Sequence, residues 1–394
     1  MSDAIEARDE SFERLSENEF DSITGVELEK DIDDDERITD PFDPAKIRVE
    51  TRSMTIDLLL SRIDHDELDL APGFQRKGGI WSSSAQSRLI ESTLIRIPLP
   101  AFYIDATNED QWLVVDGLQR LTALKRFVLD KTLRLQGLEF LTQLSGKNYD
   151  ELSRPYQRRI NETQVVVYLI DKGTPSEVKF NVFKRINTGG LPLSAQEIRH
   201  ALNQGPATEF LAQLAASHEF KKAIDNGIRD DRMADRECVL RFLAFTIFPY
   251  MSYKSKEFDS FLNDRMADIN RMSDKQREHL KHQFFRAMTA ASSIFGKDAF
   301  RKRYPYNTSR YPINKALFES WSVNLSQLDD KQLQRLKEQS NTLQTMFMNI
   351  MLNDKAFESA ISQGTGDINK VKRRFSTVER IIRAGFQPNA EEGA

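Results

Sequence analysis

The apolar periodicity of this chain changes once, near residue 205, and that change limits the fold more than any single motif. From about residue 206 onward, segments such as TEFLAQLAASHEFKKAI, ADRECVLRFLAFTIF and KQREHLKHQFFRAMTAASSIF place apolar residues three and four apart, the period of a buried helical face. Strand-like alternation is scarce there. Before that point, the short runs FYIDA, WLVV and TQVVVYLID have the length and β-branched content of strands, and helical segments lie between them. The pattern predicts an α+β protein. A compact mixed domain over 48–205 is followed by a mostly α-helical accessory or interaction domain over 206–394.

Charge separates a third region. Residues 1–50 hold 18 Asp or Glu against 6 Lys or Arg, a net of −12, whereas the remaining residues carry 42 acidic and 50 basic side chains, a net of +8. Residues 1–47 read as an acidic leader, disordered or loosely docked, because they offer few large apolar residues in any period. Two roles fit it: a solubilising tail, or a cover over a basic groove that competes with a polyanion. No run approaches the ~20 apolar residues of a spanning helix, and no signal-peptide pattern is present. The single cysteine, Cys238, excludes an internal disulfide and a four-cysteine metal site. A cytoplasmic protein without membrane contact is expected.

Within the mixed domain, helix starts are readable residue by residue. AQSRLIESTLIRIP sets Leu89, Ile90, Leu94 and Ile97 on one stripe and should end before Pro98. Thr174 and Glu177 in TPSE, and Ser194 and Glu197 in SAQE, have capping-box spacing. Polar clusters interrupt these elements. In PGFQRKGGIW, Gln75 and Arg76 sit in a glycine-containing loop where an arginine fork suits phosphate and a salt bridge is the simpler role. In WLVVDGLQRLTALKRF, Asp116 and Gly117 end a strand, while Gln119 and Arg120 fall in the first turn of a helix, where free backbone donors favour an anion. Asp116 could hold a metal, activate water, orient Arg120 or cap the helix.

PGFQRKGGIW, RLIESTLIRIPLPAFYI, WLVVDGLQRLTAL and FKRINTGGLPLSAQEIR, taken together and in this order, resemble the DUF262 family. This is the N-terminal domain of GmrSD-type, modification-dependent restriction enzymes, distantly similar to ParB and sulfiredoxin folds. The resemblance spans about residues 50–205 and implies a ParB/sulfiredoxin-like nucleotide-handling domain from a bacterium or archaeon. Gln75-Arg76 and Asp116-Gly117-Leu118-Gln119-Arg120 fall on family motifs, with Leu118 where glutamine is common. Arg185-Ile186-Asn187-Thr188-Gly189-Gly190 falls on an Asn-Thr-Gly turn motif.

What the resemblance implies is one anion site built from these loops. Asp116, Gln119 and Arg120 are the catalytic candidates. Gln75, Arg76, Gly117, Arg185, Asn187, Thr188, Gly189 and Gly190 are the nucleotide and phosphate ligands. Asp116 is the candidate for Mg²⁺ or water activation. The expected ligand is an NTP of unspecified base. No GxxxxGK[ST] occurs, so NTPase chemistry would not be that of a P-loop enzyme. Leu118 leaves open whether binding is accompanied by hydrolysis.

The helical half lacks a persuasive HNH arrangement among its histidines, so direct nuclease activity is not expected and a separate nuclease or defence-system subunit is the implied partner. Two basic stretches suggest DNA contact: FRKRYPYNTSRY with Arg301, Lys302, Arg303 and Arg310, and KVKRRF with Lys370, Lys372, Arg373 and Arg374. The functional expectation is a nucleotide-binding regulatory or DNA-recognition protein of a restriction-like phage-defence system. Its competitor is a non-catalytic DNA-binding or protein-interaction module on the same scaffold.

Overall fold

The computed structural model describes residues 24–29, 48–70, 81–186, 193–230, 232–255, 257–307 and 309–386. They fall into two units. One is Pro41–Leu202, and the other joins Met1–Asp40 to Asn203–Ala394. The first holds the sheet and the second is helical, so the α+β expectation is met.

The sheet has five strands: β1 (Val49–Thr55), β2 (Leu68–Asp69), β3 (Phe102–Asp105), β4 (Trp112–Asp116) and β5 (Gln164–Ile170). Their spatial order is β1-β5-β3-β4-β2. The β1/β5 and β3/β4 pairs are antiparallel, and the β3/β5 and β2/β4 pairs are parallel. Alternation along β5 sends Val165, Val167 and Leu169 into the larger core with Phe102, Ile104, Trp112 and Val114. Helices α1 (Ile56–Asp64), α2 (Ser83–Leu94), α3 (Leu118–Val128) and α4 (Arg154–Glu162) supply the rest of that layer. Ile170 and Val115 serve a second, smaller core with Phe180, Phe183 and Ile198 from α5 (Ser176–Ile186) and α6 (Ala195–Leu202).

Local chemistry explains several boundaries. Thr55 and Ser82 cap α1 and α2, their hydroxyls accepting from the Leu58 and Ala85 amides. The Ser194/Glu197 capping box is complete: Glu197 N–H donates to Ser194 Oγ at 3.1 Å, and Ser194 N–H donates to Glu197 Oε2 at 2.6 Å. Thr174 exchanges hydrogen bonds with the Arg48 backbone. Helix α2 stops at Leu94, and Arg96 then takes a left-handed conformation (φ 66°). Ile97 therefore leaves the predicted stripe and is 49% exposed.

The helical unit runs through α7 (Pro206–Ala216), α8 (His218–Ala223), α9 (Ala234–Ile247), α10 (Phe258–Arg271), α11 (Asp274–Phe295), α12 (Lys315–Ser326), α13 (Asp330–Glu338), α14 (Ser340–Asn353), α15 (Lys355–Ser362) and α16 (Ile368–Ala384). Helix α12 is its centre, with every residue from Ala316 to Ser326 buried. Polar residues survive there because Ser320, Ser322, Asn324 and Ser326 donate back to carbonyls of their own preceding turn.

Part of the acidic leader belongs to this unit. Thr24, Gly25, Val26 and Glu27 are buried, and Val26 forms a parallel bridge with Ile313. The expectation of a loosely docked leader does not describe Thr24–Glu29. Glu27 and Glu29 find buried cations there that supply the stabilisation an acidic run lacks by itself.

Candidate functional site

The strand-to-helix junction carries the most chemistry in the sheet unit. Gly117 is the N-cap of α3 with φ 99°, and a Cβ there would overlap Cδ1 of Phe102 and lie 2.9 Å from its Cε1. Glycine is therefore required on both conformational and steric grounds. Leu118 packs against the larger core. Its side chain serves packing, so leucine at that position costs the domain no core contact.

Arg120 is only 8% exposed. Its Nη2 donates to Asp116 Oδ2 at 2.8 Å and to the Ala101 carbonyl at 3.1 Å, and its Nη1 donates to the Pro100 carbonyl. The guanidinium also lies 4.5 Å from the Phe102 ring centroid. Burial lowers its pKa, while the Asp116 charge opposes that shift. These bonds tie the end of β4 to the segment entering β3. Arg120 thus braces the junction.

Asp116 keeps more freedom. Its side chain is 26% exposed, and among the described residues its Oδ1 has no hydrogen-bond partner. The Cα registers place Asp116 opposite Tyr103, Tyr103 beside Tyr168 and Tyr168 opposite Thr51, one row across β4, β3, β5 and β1. The β3/β4 register shifts by one between Tyr103 and Ile104. The two tyrosine rings stack with centroids 4.8 Å apart and planes at 22°. Burial raises the Tyr103 pKa, and Tyr168 and Asp116 add to the shift. Sequence reading missed this pair; strand alternation in FYID and VVVYLI held the signal, but parallel β3/β5 pairing was needed to join them.

Gln119 holds the neighbouring loop. Its Oε1 accepts from the Trp81 amide at 3.2 Å, and Gln86 Nε2 donates to the Trp81 carbonyl at 2.7 Å. Arg126 in turn donates to Gln86 Oε1 at 2.9 Å. Trp81 directly follows the segment that carries Gln75 and Arg76, so the DGLQR helix start fixes the backbone of the first described residue after it. Gln75 and Arg76 lie outside the described residues, as do Asn187, Thr188, Gly189 and Gly190. Arg185 is exposed near the C-terminus of α5.

A family model described as GmrSD restriction endonuclease, N-terminal domain, matches residues 56–203. The match falls on the same segment and the same family as the resemblance carried by its motifs. The GmrSD N-terminal domain thus accounts for nearly all of the sheet unit and well under half of the chain. No curated protein and no solved structure matches the sequence. Among the described residues, no helix is long and apolar enough to cross a membrane, and no group of three or more His, Cys, Asp or Glu side chains could hold a metal.

The expected nucleic-acid contacts lie beyond the GmrSD segment, and most are committed internally. Arg301 is 5% exposed and donates to the Lys297, Tyr311 and Ile224 carbonyls. Burial, with Arg310 nearby, lowers its pKa to about 10. Lys302 pairs with Glu27 at 2.6 Å, and Arg374 pairs with Glu319 in a fully buried bridge. These three cannot reach a polyanion without leaving the core. Arg310 pairs with Asp225 and Arg373 with Asp354, each at 2.6 Å. Arg303 donates to Gln344, while Lys372 is half-buried.

Proposed function

We propose that the chain is a nucleotide-binding regulatory protein of a restriction-like defence system, with the nucleotide held at the β4–α3 junction. The observation that carries this reading is the division of labour at DGLQR: Arg120 braces the junction, Gln119 fixes the adjoining loop end and Asp116 retains an open carboxylate oxygen. The family match supplies the restriction-like context.

In this reading, Gln75, Arg76 and the Asn187-Thr188 turn bind phosphate, and Tyr103 offers an aromatic face to the base. Asp116 holds Mg²⁺ or orients water, the assignment compatible with its exposure and charge. The non-catalytic alternative draws on Arg120, whose commitment to carbonyl oxygens leaves the junction short of a mobile cation for a transition state. A separate nuclease subunit and DNA complete the proposed system.

Calorimetric titration of ATP, GTP and CTP with Mg²⁺, followed by phosphate-release assays, tests the proposal. The wild type should bind one of the three, Tyr103→Ala should weaken it, and Asp116→Asn should abolish any turnover while leaving the fold intact. Binding without turnover selects the non-catalytic form. A folded protein that binds none of them overturns the nucleotide reading.

A further inference from the structure

Thr24–Glu29 docks on the helical unit in the manner of a bound peptide. It is short, bends at Gly25 before the bridge residues Val26 and Glu27, and has its partners far away in sequence. The Glu27 amide donates to the Ile313 carbonyl at 2.9 Å, and the Arg229 amide donates to the Thr24 carbonyl at 2.8 Å. Side chains supply the selectivity. Glu29 receives both Arg241 terminal nitrogens, at 2.8 and 2.6 Å, and the Thr365 hydroxyl at 2.7 Å. Glu27 receives Lys302 at 2.6 Å and Asn314 Nδ2 at 3.1 Å.

Each position has a distinct requirement. Gly25 has φ 78°, and a Cβ there would overlap the Gly227 carbonyl oxygen. Val26 is 2% exposed within the helical core, whereas Leu28 is 49% exposed. The groove thus reads a tight glycine, a small apolar side chain and two acids separated by one unread residue. Its receptor atoms come from helix α9, the Ile313–Asn314 approach to α12, Arg229, Lys302 and Thr365. Withdrawing the segment would leave Arg241 with Glu237 and Glu319, and would take the Glu27 carboxylate from Lys302.

We propose that the helical unit is an acidic-peptide-binding module selective for Gly-Val-Glu-x-Glu, and that Thr24–Glu29 is its ligand supplied by the same chain. Tethering raises the local concentration of this segment to about the millimolar range, so a competing partner must present the same pattern with higher affinity or valency. The same segment of a second copy of the chain would exchange with it. Bidentate pairing of Arg241 gives the selection its geometric sharpness.

The test uses the full chain with a specific protease site inserted between Asp33 and Asp34, studied before and after cleavage. A fluorescein-labelled peptide of residues 20–31 is added in excess and followed by anisotropy, while circular dichroism tracks folding. The cleaved, folded chain should bind the peptide at least roughly tenfold more tightly than the uncleaved chain, because the tether no longer competes. Glu29→Gln in the peptide should weaken binding at least roughly tenfold, and Leu28→Lys should leave it nearly unchanged. Equal binding to cleaved and uncleaved chains, equal binding of a scrambled peptide, or no uptake by a folded cleaved chain each overturns the proposal. Loss of the helical fold on cleavage also overturns it, because the segment would then be an inseparable part of the core.

Discussion

The sheet unit and the helical unit both pair arginine with carboxylate, but to different ends. In the sheet unit, Arg120 is buried while Asp116 stays a quarter exposed, so the pair positions a group that still meets solvent. In the helical unit, Arg374 and Glu319 are both 0% exposed, and Arg241 stands between Glu237, Glu29 and Glu319. The same two residue types make a braced, solvent-facing edge in one region and an internal framework in the other. Exposure of the acid, more than the presence of the pair, distinguishes them.

The largest expected effect would come from breaking the internal framework. Arg374→Met removes the closest cation from Glu319 and should cost about 3–5 kcal/mol, read from urea denaturation of the helical transition. A loss below 1 kcal/mol would place this pair with the exposed ones.

Acid titration should give the next largest effect. Burial opposes ionisation of Glu29, but Arg241 and Lys315 outweigh it and hold the pKa at about 2, below the ordinary value of 4.5. Its contribution is present above the ordinary value and is lost as pH falls from 4.5 through about 2. The pH dependence attributable to this group should amount to about 3 kcal/mol, and Glu29→Gln should flatten it in acid denaturation curves.

A smaller change should come from the solvent-facing edge. Gly117→Ala combines positive φ with overlap on Phe102 and should cost about 2 kcal/mol. Adding Phe102→Leu should recover the steric part alone, measurable as a partial return of Tm. The smallest effect belongs to Ser194→Ala, which removes one half of the capping box for about 1 kcal/mol and should leave the helical unit's melting unchanged.

Much of the sheet unit was legible because its signals are local. The WLVV-to-LQRL handover places Gly117 where a strand ends and α3 begins, and SAQE contains both halves of its own cap. The tyrosine row was not legible, since it depends on which strands become neighbours. The helical unit posed a harder problem. Arg301, Lys302 and Arg374 looked like a cationic surface because their counter-groups are remote: Glu27 precedes Lys302 by hundreds of residues, and Glu319 joins Arg374 through the folded core. Local charge density does not reveal burial. Glu27 and Glu29 of the leader escaped sequence reading for the same reason, their partners being visible only after folding.

Trp81 gives the sheet unit an optical consequence. Its backbone is held on both sides by Gln119 and Gln86, yet the residue is 36% exposed. The other two tryptophans, Trp112 and Trp321, are 6% and 2% exposed. Collisional quenching of the indole emission would therefore sample Trp81 selectively, making the natural protein its own fluorescent probe of events beside the DGLQR junction.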